Sequence, residues 1–111
     1  MFWRGPALFE RALRELGRGR LTEDEAAQVL ARDIAHGVLS GRLRPAEATS
    51  LAAAIHVDTD YSFDVFNELY VLDEEASHLD RSGRSYLGRT EAAVADDVRA
   101  EARRILEEPS R

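Results

Sequence analysis

The chain of 111 residues has no cysteine, no lysine and only three prolines. Without cysteine there are no disulfides, no thiolate catalysis and no cysteine-ligated zinc, and a reducing compartment is allowed. No apolar run approaches the roughly 18 residues of a membrane span, and the opening MFWRGPALFER lacks the ordered charged, apolar and cleavage regions of a secretory signal. A cytoplasmic location, with no membrane association, is the expectation. There is no GxSxG elbow and no glycine-rich phosphate loop, so nucleophilic catalysis and P-loop chemistry have no signature. All 15 basic residues are arginine and alanine is abundant, the usage of a GC-rich bacterial genome rather than a selection for guanidinium chemistry.

What is present suffices for one folded unit. Hydrophobic residues make up 44% and charged residues 32%, a balance typical of globular rather than disordered chains. The length suits a single helical domain over residues 1–111. The net charge of −6 disfavours general nucleic-acid binding, yet the charge is uneven. Between Pro45 and Asp80 there is no arginine, while Glu47, Asp58, Asp60, Asp64, Glu68, Asp73, Glu74, Glu75 and Asp80 fall there.

Helical periodicity recurs along the chain and strand alternation is missing, which predicts an all-α, up-and-down-like bundle of about five helices near 6–17, 23–39, 45–56, 62–79 and 91–108. Pro6 and Pro45 suit first helical positions. Thr22 with Glu25 has capping-box spacing, Asp60 or Ser62 can start the fourth helix, and Thr90 can cap the fifth. Gly19-Arg20-Leu21 before Glu25 and Gly41-Arg42-Leu43 before Glu47 read as one loop-to-helix solution used twice. Tyr61–Leu79 holds the densest run of large apolar residues and predicts a central helix at 62–79. The expected core comprises Phe9, Leu13, Leu30, Ile34, Leu51, Ile55, Phe66, Leu69, Val98 and Ile105. Tyr86 and Leu87, in the polar connection after Leu79, are expected to fold back as a local plug.

Several groupings could carry chemistry. Asp33 and His36, with Glu75 and His78, have the i, i+3 carboxylate–histidine spacing with which ferritin-like bundles hold metal, but the wheel turns both histidines outward. A bound metal or cofactor is not expected. His56, Asp58 and Asp60 resemble the start of a calcium loop, yet Phe63 and Leu69 stand where its glycine and bidentate glutamate belong. Asp73 falls inside the apolar arc, so an ion pair with an arginine from 6–17 or 91–108 is expected. An up-and-down path gathers Arg42, Arg44, Arg81, Arg84 and Arg89 at one basic pole, but Glu47, Ala48, Ser50 and Leu51 offer nothing to read bases.

The strip Asp64, Glu68 and Glu75 lines one side of the central helix with no cation supplied locally, and Phe2 and Trp3 form an aromatic lead, too apolar for water, that a small bundle is not expected to bury by itself. Together they point to a non-enzymatic protein-interaction module: an adaptor, regulator or inhibitor of a basic partner, with homo-oligomerisation through the aromatic lead. A nucleic-acid binder using the arginine pole and a metal-dependent enzyme are the alternatives. A small acidic helical bundle is a format that several bacterial inhibitor and immunity proteins share, an analogy that carries no residue across.

Overall fold

A computed structural model of the chain describes residues 22–79 and 81–107. Among them are four α-helices, α1 (Glu23–Ser40), α2 (Pro45–Asp58), α3 (Asn67–Ala76) and α4 (Glu91–Glu107), with a 3-10 turn, η1 (Asp64–Phe66), leading into α3. There is no strand among these residues, only the isolated bridge Arg84–Thr90. The helix expected at 6–17, with Phe9 and Leu13 of the expected core and the aromatic lead Phe2 and Trp3, lies outside the described residues.

Local chemistry starts three of the helices. Thr22 accepts from Glu25 N–H at 3.1 Å while Glu25 accepts from Thr22 N–H at 3.0 Å, the reciprocal box that satisfies two free donors. At α2, Glu47 accepts from Arg44 N–H at 2.9 Å, so the glutamates of the repeated loop-to-helix pattern do the same work twice. These bonds, donated first by the backbone of Thr22 and of Arg44, hold both carboxyls below their usual range. Thr90 caps α4 by accepting from Ala93 N–H at 3.2 Å.

The central helix is shorter than its sequence pattern predicts. Neither expected starting residue can cap it, because both are spent on ending α2. Asp60 N–H bonds Val57 O at 3.0 Å and Tyr61 N–H bonds His56 O at 2.8 Å, the paired closure of a Schellman motif. Its left-handed position is Asp60, with φ 55°, and Tyr61 follows at φ 58°, conformations that side chains rarely adopt. Ser62 Oγ donates back to Thr59 O and so faces away from α3. At the other end, Ser77 N–H closes on Asp73 O, and His78 Nδ1 reaches Glu74 O at 2.7 Å, covering a terminal carbonyl.

Packing follows the apolar stripes. α1 lies along α4 and α2 along α3, and further contacts between α1 and α2 and between α3 and α4 complete a ring of neighbours. The buried centre holds Ile34, Val38, Ile55, Phe66, Leu69, Leu72, Val94, Val98 and Ile105, with Leu30 and Leu51 half-buried against it. Alanines at 27, 31, 35, 48, 52 and 102 bring the backbones close. Gly37 does so most sharply: a Cβ there would stand 2.6 Å from Leu43 Cδ1, so the α1–α2 loop folds its leucine onto bare backbone. No helix of the described residues is long and apolar enough to cross a membrane.

Leu69 is 1% exposed and faces this centre. Leu69→Ala is expected to cost about 2 to 5 kcal/mol in urea unfolding, from lost burial plus the cavity left behind. A cost below about 1 kcal/mol would make α3 peripheral.

Candidate interaction groove

Between η1, the start of α3 and the outer face of α4 runs a cleft of about 440 Å³, lined by Asp64, Asn67, Glu68, Leu72, Asp97, Ala100, Glu101 and Arg104. That volume lies within the roughly 300 to 1,000 Å³ of typical ligand clefts. Four carboxylates face it. Two are neutralised: Glu101, buried, receives both Arg104 Nε at 2.7 Å and Arg104 Nη2, and Asp97 receives Arg89 Nη1. Asp64 and Glu68 are exposed and make no ion pair among the described residues. The cleft is therefore acidic on the η1–α3 side, with Leu72 as an apolar floor. The expected strip was visible in the sequence for these two acids; the acids from α4 were not, because they reach the cleft only through helix packing.

Glu75, the third member of the expected strip, is a correction. Its side chain is 2% exposed and sits inside a cluster built by the loop after α3. Arg89 grips it with two nitrogens, Nε to Oε2 at 2.9 Å and Nη2 to Oε1 at 2.6 Å, and Ser85 Oγ donates to Oε2 at 2.6 Å. The cation thought missing is fourteen residues away in sequence. Arg89 foremost, helped by Ser85, holds the Glu75 carboxyl below its ordinary 4.5 against the effect of burial, and both carboxylates raise the pKa of Arg89.

The same cluster disperses the basic pole. Arg89 serves Glu75 and Asp97, Arg42 binds Asp33 through its backbone oxygen at 3.1 Å and its carboxylate at 3.4 Å, and Arg44 stays on Glu47. Arg84 donates to Gly88 O at 2.9 Å, and Arg81 is exposed. Arg44 does share a second cleft, of about 360 Å³, with Pro45, Ala76, Glu91, Val98 and Arg99, where the starts of α2 and α4 meet the end of α3.

The four residues of the carboxylate–histidine spacing are not brought together. Asp33 lies on Arg42, Glu75 on Arg89, and His36 and His78 are both exposed; no group of three or more metal-ligating side chains forms among the described residues. Asp73 is a further correction, since its partner is a hydroxyl: Thr49 Oγ1 donates to it at 3.1 Å, with no arginine on it among the described residues. Loss of water pushes its carboxyl up, Thr49 opposes this, and neighbouring Glu74 adds to it.

Sequence reasoning placed His56 only in a calcium-loop-like pattern and missed its burial among tyrosines. The ring is 3% exposed and lies 5.1 Å from Tyr61, edge-on, and 5.3 Å from Tyr70. Its Nδ1 has no hydrogen-bond partner among the described residues. Tyr61 and Tyr70 contact each other edge-on at 5.7 Å, and hydrogen bonding to Tyr61 raises the pKa of Tyr70. The ring contacts explain how Tyr61 tolerates its left-handed backbone, which nothing in the local sequence signals. Tyr86 and Leu87 also depart from expectation: rather than a plug, they are 64% and 63% exposed.

Comparison with protein-family models, with curated proteins and with solved structures returns no match.

Two titrations follow. Because Glu75 has a lowered pKa in the folded state, its pairing stabilises the fold above pH 4.5, and this contribution is lost as pH falls through the folded value. Arg89→Ala should therefore cost about 2 to 4 kcal/mol at pH 7, below the full buried-pair range because Arg89 keeps some water, and much less in acid. An equal cost at both pH values, read by urea unfolding, would show that the guanidinium acts through packing alone. Asp73 has the opposite sign: its raised folded pKa makes ionisation a penalty that appears as pH rises. Asp73→Asn, which still accepts from Thr49, should raise the urea midpoint at neutral pH and not at about pH 3.

Proposed function

We propose that this chain is a single-domain, up-and-down helical bundle acting as a non-enzymatic protein-interaction module, and that its acidic groove takes a cation-bearing segment of a basic partner. The observation that carries this reading is the pair Asp64 and Glu68, exposed and with no ion pair among the described residues, at the mouth of a cleft floored by Leu72. A partner bringing arginine or lysine there gains two charge-assisted bonds at the edge of an apolar floor. The neutralised Asp97 and Glu101 make the opposite wall a fixed surface rather than a second charge source. Neither alternative gains support. The arginines proposed to read nucleic acid are largely engaged with carboxylates, and the carboxylate–histidine residues proposed to hold metal do not converge.

Calorimetric titration with a short peptide alternating arginine and leucine tests the reading. Asp64→Ala with Glu68→Ala should weaken binding about threefold to tenfold and flatten its dependence on salt, the range expected for rim charges. Glu23→Gln with Asp24→Asn, which removes acids from the first turn of α1 instead, should leave it unchanged. Equal weakening by both pairs would reduce the groove to a share of general negative charge.

A further inference from the structure

Tyr86 and Leu87 are the most exposed large apolar side chains among the described residues, and they sit on a loop tied by several hydrogen bonds. They occupy the two corners of a turn closed by Gly88 N–H on Ser85 O at 2.8 Å. Below the turn, Ser85 N–H bonds Arg89 O at 2.7 Å, and Arg84 and Thr90 form a bridge. Ser85 Oγ accepts from Leu87 N–H at 3.1 Å and Arg89 N–H at 3.3 Å while donating to buried Glu75. The loop is thus anchored to α3 through Glu75 and to α4 through Asp97, while its apolar tip stays exposed.

A loop that merely connected two helices would need none of this, and a tip meant for water would not carry a tyrosine and a leucine. Fixing the backbone beneath two large side chains in advance lowers the ordering cost of seating them in a partner, and tyrosine and arginine are among the residues enriched at the anchors of interfaces. Arg81 and Arg84, both exposed, flank the tip. The tip is therefore apolar with a basic margin, and the groove has the complementary character: a leucine floor with Asp64 and Glu68 at its mouth. Knob and groove are neighbours on one molecule, joined by Arg89, which belongs to the loop and binds Asp97 of the groove wall. A two-fold axis between two copies can then seat each tip in the other's groove, a closed and self-complementary contact.

We infer that the Tyr86–Leu87 turn docks in the acidic groove of a second copy of this chain, forming a symmetric dimer. The inference rests on the groove being a binding surface and names a second copy as its occupant.

Sedimentation of the full chain from about 5 to 500 µM, a span that brackets micromolar association, should show mass rising toward twice the monomer. Tyr86→Ser with Leu87→Ser should weaken the dimer about tenfold or more while leaving the thermal melt of the monomer unchanged. Glu68→Arg alone and Arg84→Glu alone should each weaken the dimer as well, by placing like charges in contact. Mixed in equal amounts, those two variants should dimerise again, because both contacts of the mixed pair then join opposite charges. Recovery on mixing distinguishes direct contact from damage to either fold. A chain that stays monomeric, a dimer untouched by the tip variants, or a mixture that fails to associate overturns the inference. So does a dimer lost only on Phe2→Ala with Trp3→Ala. If the chain is monomeric but the arginine–leucine peptide still binds at Asp64 and Glu68, self-docking alone falls; if neither occurs, the groove reading falls with it.

Discussion

A carboxylate shut away from water must find its charge and hydrogen-bond partners inside the protein, and Glu75 imposes that demand on everything around it. Two guanidinium nitrogens and one hydroxyl meet it. To deliver them, residues 84–90 must fold over the end of α3 as a closed turn, and Arg89 must lie between α3 and α4. The remaining nitrogen of that fork then reaches Asp97. One buried acid therefore fixes the path of the last connection, the approach of α4 to α3 and the charge state of one groove wall. An apolar residue at position 75 could fill the space, but it would set neither the loop's geometry nor the position of Arg89.

How much of this is legible in the sequence depends on the range of the interaction responsible. Thr22 with Glu25, Glu47 after Arg44, and Thr90 each act within three residues, and all three can be read from spacing alone. The apolar period likewise places Ile34, Ile55, Phe66, Leu69, Val98 and Ile105 inside, because burial of a helical stripe is a local pattern with one solution. The misassigned charge partners come from contacts between distant segments. A helical wheel assigns Glu75 to the polar face correctly, but it cannot know that a later loop will cover that face and bring Arg89. For the same reason Asp73 lies near the apolar arc as expected but finds Thr49 of α2 rather than an arginine.

The overlong central helix has a different origin. Aromatic and aliphatic residues from Phe63 to Leu79 keep the helical period, so the pattern gives no boundary, and propensity does not forbid a helix from 62. What prevents it is the preceding helix. Closing α2 on Asp60 and Tyr61 leaves both in left-handed conformations, and no helix can begin until the chain has recovered. A glycine at position 60 would have announced this ending; an aspartate, tolerated there for its short polar side chain, hides it.

That ending also bears on the groove. The ring of Tyr61, held between His56 and Tyr70, fixes the direction in which the chain leaves α2, and the 3-10 turn that follows starts with Asp64. One end of the groove is thus set by an aromatic cluster and the other by the Glu75–Arg89 pair, with different side chains doing the work at each. The two clusters share no residue, and the separation between Asp64 and Asp97 is held by the α3–α4 packing between them. A surface positioned from both ends loses little conformational freedom when it is occupied. Under the proposed reading, this is what the groove contributes: Asp64, Glu68 and the α4 wall stand in place before any partner arrives.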